Sequence, residues 1–173
     1  MTNYNFLPNF RFAVREDLKD VSEQFLPTQG EPLATGWDVS AAFTDHQSIK
    51  LNPGEWVKIP LGIRCFAPGD WWLELRPRSS TTGKKNIHAL YGVIDCSFEG
   101  ELLFCGQYSP SSVDPNKTLT NSLTIKFGEA IGQIIPVIRQ SMMVTPISNE
   151  EFDILCKDRN AKRGSNGFGS TSK

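Results

Sequence analysis

The chain has 173 residues, enough for one domain with a substantial core and too few to expect two. Its 18 basic and 19 acidic residues leave a net charge of -1, which excludes an electrostatic platform for duplex nucleic acid or a membrane surface. Four cysteines, Cys65, Cys96, Cys105 and Cys156, lack CxxC spacing and sit in apolar stretches, so reduced core thiols are expected rather than zinc or a disulfide framework. No basic region followed by an apolar leader opens the chain, and no apolar run approaches membrane-spanning length. A soluble, cytoplasmic protein is expected.

In chain order, Phe10 to Val14 alternates well enough for a first strand, and charged Asp17 to Phe25 forms a short helix or an irregular insertion. Strands are then expected at 37–42, 47–51, 55–59, 62–66, 71–75, 92–94, 101–105, 122–127 and 130–137. Asn52-Pro53-Gly54, Pro68-Gly69-Asp70 and Asp114-Pro115-Asn116 supply the turns. Many short strands between such turns predict an all-β sandwich or barrel. The stretch Leu90 to Leu102 reads as a hairpin whose tip carries Asp95, Phe98 and Gly100. Residues 108–120 read as an extended loop, 149–156 as a helical or extended turn, and the chain ends in a polar, glycine-rich tail.

Five clusters carry chemistry. Asp38, in Gly36-Trp37-Asp38-Val39-Ser40-Ala41, is a carboxylate at a strand start, able to hold a hard cation directly or through water. Arg76-Pro77-Arg78-Ser79-Ser80 is a donor-rich turn suited to phosphate oxygens, and equally an ordinary exposed polar loop. Asp95 on its hairpin is a candidate general base, with Phe98 as a stacking face, although Asp and Gly are also common turn residues. Gln133, in Gly128-Glu129-Ala130-Ile131-Gly132-Gln133, is an amide inside an apolar strand and needs partners. The glycine-rich segment from Arg163 to Thr171 reads alone as a floppy terminus, whereas Phe168, a lone aromatic between glycines, suits a lid. His46 and His88 have no metal-ligand spacing and are read as surface residues, and Trp56, Trp71 and Trp72 as packing residues.

GWDVSA, PRSS, YGVIDCSFEGE, GEAIGQII and RGSNGFGST, in that order and at nearly that spacing, resemble the five motifs of the homotrimeric deoxyuridine triphosphatases (dUTPases), from about Phe10 to Thr171. The resemblance implies a jelly-roll-like distorted β-barrel (β-clip) over residues 1–156 and a flexible glycine-rich arm over 157–173. It further implies a homotrimer whose active sites are each assembled from three chains, and hydrolysis of dUTP to dUMP and pyrophosphate with Mg2+. Carried over residue by residue, Asp38 holds Mg2+ through its water shell, while Arg78, Ser79, Ser80 and Gln133 contact phosphates. Asp95 activates the water that attacks the α-phosphorus. The backbone around Val93 and Ile94 reads uracil, and Phe98 lies under the deoxyribose. Arg163, Gly169, Ser170 and Thr171 close on the phosphates, and Phe168 stacks on the base.

Three departures stand out. Phe98 replaces the family's usual tyrosine, the 80–92 stretch is short and lacks the usual asparagine, and the 108–122 loop is long, a place for a protein partner. The sister dCTP deaminases need an arginine and a glutamate where this chain has Gly83 and Cys105, which disfavours deamination, although use of dCTP stays open. A non-catalytic barrel of the same fold is the other alternative, and the presence of all the site residues together argues against it.

Overall fold

A computed structural model describes residues 7–45, 47–110 and 122–159. His46, most of the 108–122 loop, and Arg163, Phe168, Gly169, Ser170 and Thr171 lie outside the described residues.

Two compact units divide at Gln140 and Ser141. The first is all-β apart from a 3-10 helix at Glu16–Gln24 and a five-residue helix, α1 (Ser79–Gly83). Its strands are β1 (Arg11–Val14), β2 (Trp37–Ser40), β3 (Ile49–Leu51), β4 (Trp56–Pro60), β5 (Ile63–Phe66), β6 (Trp71–Pro77), β7 (Ile87–Ala89), β8 (Gly92–Ile94), β9 (Leu103–Tyr108), β10 (Leu123–Ile125) and β11 (Ala130–Ile138). They pair antiparallel in four groups: β1-β5, β3-β10, β4-β9-β7 and β2-β11-β6-β8. This is the expected all-β, jelly-roll-like class.

Alternation selects the buried face. Along β9, Phe104, Gly106 and Tyr108 point inward while Leu103, Cys105 and Gln107 do not. Leu73 and Leu75 of β6 enter the same core as Phe104, Ile131 and Ile134, each contributing about 1.5–3 kcal/mol by leaving water. Gly106 is required there, because a Cβ would stand 2.7 Å from Ile87 Cγ2. Gly62, at φ +68°, turns β4 into β5 where a side chain would strike Leu18 and Ala42.

The expected hairpin at 90–102 is corrected. β8 pairs with β6, and β9 pairs with β4 and β7, so the segment spans two sheets. The Leu90 N–H donates to the Cys105 carbonyl at 2.9 Å, which continues the β7-β9 pairing rather than joining β8 to β9. The physical reason is that both apolar runs find larger partners: β6 offers Val93 and Ile94 a seven-residue strand whose inner face is already in the core. The cysteines also depart from expectation. All four are free thiols, but Cys65, Cys96 and Cys105 are only half-buried and Cys156 is exposed. Burial pushes the Cys65 thiol up to about 11.

The second unit contains α2 (Asn149–Arg159). Ser148 Oγ accepts the Glu151 N–H at 3.1 Å, Glu150 and Glu151 lie in the first turn and Lys157 and Arg159 in the last, matching the helix dipole. Phe152, Ile154 and Leu155 are exposed, as are Met142, Met143 and Val144 ahead of the helix.

Candidate active site

Strand β11 builds the first part of the site. Gln133 lies opposite Asp38 of β2 on one side and Arg76 of β6 on the other. Directly opposed residues of neighbouring strands share a face, so Asp38, Gln133 and Arg76 form a row across three strands. Arg78, two residues beyond Arg76, is on that face too, and its Nε stands 3.0 Å from Asp38 Oδ1. The backbone of Asp38 is pinned from its other side: its N–H donates to the Thr28 carbonyl at 2.6 Å, and the Thr28 N–H returns a bond to the Asp38 carbonyl at 3.2 Å. Gln133 Nε2 donates to the Pro77 carbonyl at 3.0 Å. Gly36 leaves room for that amide, since a Cβ there would collide with Gln133 Oε1.

Ser79 and Ser80 open α1 directly after Arg78. The helix is short for autonomous stability and is held by tertiary bonds. The Thr81 and Thr82 N–H groups donate to the Arg78 carbonyl at 3.0 and 3.4 Å. Buried Thr81 Oγ1 donates to the Ile131 carbonyl at 2.7 Å. The β11 register against β2 shifts between Ala130 and Gly132, so Ile131 lies in a bulge, and Thr81 satisfies its carbonyl. Lys85 at the exit of the helix pairs with Glu129. Burial raises the Glu129 carboxyl, but the Lys126 N–H and Lys85 outweigh it and hold the group below its ordinary value.

Asp95 and Phe98 form a second group. The Phe98 N–H donates to the Asp95 carbonyl at 3.0 Å, closing a tight turn after β8. Cys96 Sγ donates to the Gly69 carbonyl at 3.7 Å, tying that turn to the one before β6. Gly100 accommodates the Phe98 ring, because a Cβ would lie 2.6 Å from Phe98 Cζ. The turn residues Cys96 to Glu99 and the β1-β5 ribbon line a cavity of about 530 Å3. Asp95 is exposed, as is Val93, which faces outward opposite Glu74.

A network that the sequence analysis did not single out supports this turn. Glu101 Oε1 accepts from Arg15 Nη1 and from the Gly62 N–H, both at 2.8 Å. Arg15 Nη2 donates to the Ala42 carbonyl at 2.8 Å, so one ion pair joins four segments. The hydrogen bond to Asp17, with Glu101 behind it, holds the Arg15 guanidinium above its ordinary value against the opposing effect of burial. The available signal was a glutamate between Gly100 and an apolar run, a charge that needs a partner.

The two groups are far apart in one chain. Ile94, immediately before Asp95, lies opposite Leu73, five residues back from Arg78. At strand rise that is roughly 17 Å. The structure therefore joins Asp38, Arg78 and Gln133, with Ser79 and Ser80 adjoining, and sets Asp95, Phe98 and the Val93-Ile94 backbone elsewhere.

No family model matches the chain. The deoxyuridine 5'-triphosphate nucleotidohydrolase of Maricaulis maris is 27% identical over 148 residues, covering 84% of this chain and 86% of that protein. The Staphylococcus bacteriophage 80alpha dUTPase, solved with dUPNHPP, superimposes with a TM-score of 0.73 at 18% identity, covering 95% of this chain and 99% of that one. The dUTPase from phage phi11 of S. aureus, whose structure reveals the coordination of a structural Mg(II) ion, gives 0.65 at 16% identity over 83% and 99%. The fold is thus that of these phage dUTPases. By sequence the chain is similar, at 27% identity, to proteins named deoxyuridine 5'-triphosphate nucleotidohydrolase.

Proposed function

We propose that the protein is a dUTP diphosphatase that works as a homotrimer with Mg2+, releasing dUMP and pyrophosphate. The observation that carries this is the row Asp38–Gln133 with Arg78, a cationic and amide surface fit for phosphates, set apart from an exposed carboxylate on a rigid turn. A site needing both takes them from two copies of the chain, and the exposed Met142, Met143 and Val144 give each copy apolar surface to bury against another.

In this reading Arg78, Ser79, Ser80 and Gln133 bind the triphosphate. Asp95 of a second copy takes a proton from water as its oxygen attacks the α-phosphorus, and the bond to the bridging oxygen breaks to release pyrophosphate. Phe98 packs under the sugar, and the Val93-Ile94 backbone meets the base. Arg163, Phe168, Gly169, Ser170 and Thr171, on the 157–173 arm, close the site.

Among the described residues no group of three or more His, Cys, Asp or Glu side chains is placed to hold a metal. That suits Mg2+, which keeps several waters and substrate phosphates and needs few protein carboxylates. Asp38 Oδ1 pairs with Arg78, which leaves Oδ2 as an acceptor for a metal-bound water. When bound, the ion neutralises phosphate charge.

The test is pyrophosphate release with Mg2+ from dUTP, dCTP, dTTP and UTP in parallel. Release from dUTP alone, with dUMP as product, is expected. Absence of release from all of them would leave a binding role on this fold, and release from dCTP would mean that the turn backbone reads a different base.

A further inference from the structure

We infer that Arg76, which lies just outside the PRSS motif and has no role carried over with it, is a further substrate-binding residue that contacts the triphosphate chain of the nucleotide. The inference rests on the reading of the site just given. Register places Arg76 directly opposite Gln133, which is itself opposite Asp38, so the guanidinium belongs to the same row and the same sheet face as the phosphate-binding set.

Its neighbours hold it in a fixed direction. Nη2 donates to Glu74 Oε1 at 2.7 Å, and the guanidinium carbon lies 5.2 Å from the centroid of the Tyr91 ring. An ion pair this exposed adds little to stability, because solvent screens it and two long side chains must be ordered. What the arrangement does achieve is orientation: a guanidinium braced by a carboxylate and a ring loses less freedom when it meets a ligand. Of its five N–H donors Glu74 takes one, and the planar fork matches phosphate oxygens. Arg78 is shared with Asp38 and Gln133 with the Pro77 carbonyl, whereas Arg76 is braced from its own strand and from Tyr91, ahead of β8. It thereby adds unengaged N–H donors to the row without drawing on either of those pairs.

The experiment measures binding of dUMP, dUDP and a non-hydrolysable dUTP analogue to the full chain by calorimetry, for the wild type, Arg76→Gln and Arg76→Lys. A lost charge-assisted contact weakens the triphosphate analogue about tenfold in Arg76→Gln and changes dUMP less than about twofold. Arg76→Lys falls between, since it keeps the charge and loses the fork. In turnover, KM rises and kcat holds. Equal losses for dUMP and the triphosphate, or a lower melting temperature with unchanged affinities, would show a structural residue and overturn the assignment. Wild-type protein that binds none of the three would overturn the reading of the site itself, and this role with it.

Discussion

Mixed trimers test the division of the site between chains. Take one variant with the turn carboxylate removed, Asp95→Asn, and a second with the phosphate row broken, Arg78→Gln. Along the sheet the two positions are roughly 20 Å apart, and the proposed site takes them from different chains. In the proposed homotrimer each variant alone has three defective sites. When equal amounts are co-refolded, an intact site needs its row from the first variant and its turn from the second. Each choice has a probability of one half, so about a quarter of the sites recover. Pyrophosphate release should therefore rise from near zero in each parent to about a quarter of the wild-type rate per chain. Size-exclusion chromatography confirms that the mixture keeps the parental mass. Activity no higher than the sum of the parents, with exchange of chains demonstrated by a mass tag, would refute the shared site.

Other perturbations read the supports. Thr81→Val leaves the buried Ile131 carbonyl without its donor and should cost about 1–3 kcal/mol in urea unfolding; an unchanged midpoint would show that the bulge does not depend on Thr81. Gly36→Ala drives a methyl group into Gln133 and should raise KM for dUTP with the melting temperature nearly constant, whereas an unchanged KM would remove Gln133 from binding. Glu129 has a folded pKa below its unfolded value, so its contribution to stability is present at neutral pH and fades as pH falls below the ordinary glutamate value of 4.5. Lys85→Met removes part of the cause and should flatten that acid limb of the stability curve, and a limb as steep as the wild type's would place the acid sensitivity elsewhere.

Most strands were legible because their inward residues alternate between turns: β8 begins and ends as the pattern predicts, and β11 extends only one residue further. What stayed hidden depended on partners distant in sequence. The apolar runs flanking Asp95 read as a hairpin, since periodicity records which face is buried and not which strand lies alongside. Helix α1 was unreadable because Ser, Thr and Gly are weak helix formers, and its anchor, Ile131, lies fifty residues away. For the candidate site, the residue types of Asp38, Arg78 and Gln133 were visible one at a time. Their meeting is the work of β11, which pairs with β2 and β6 at once. Glu101 was passed over because its partners Arg15 and Gly62 belong to other strands and turns.

The contact between Asp38 and Arg78 has a bearing on selection among small anions. Any anion that competes for the Nε donor of Arg78 meets a carboxylate tethered 3.0 Å away, an internal rival whose effective concentration is of millimolar order or higher. Orthophosphate or a stray carboxylate, with one modest contact to offer, gains little by that exchange. A ligand that grips several donors of the row together leaves the tether in place and still binds, so the ion pair works as a threshold that sorts anions by the number of contacts they can make.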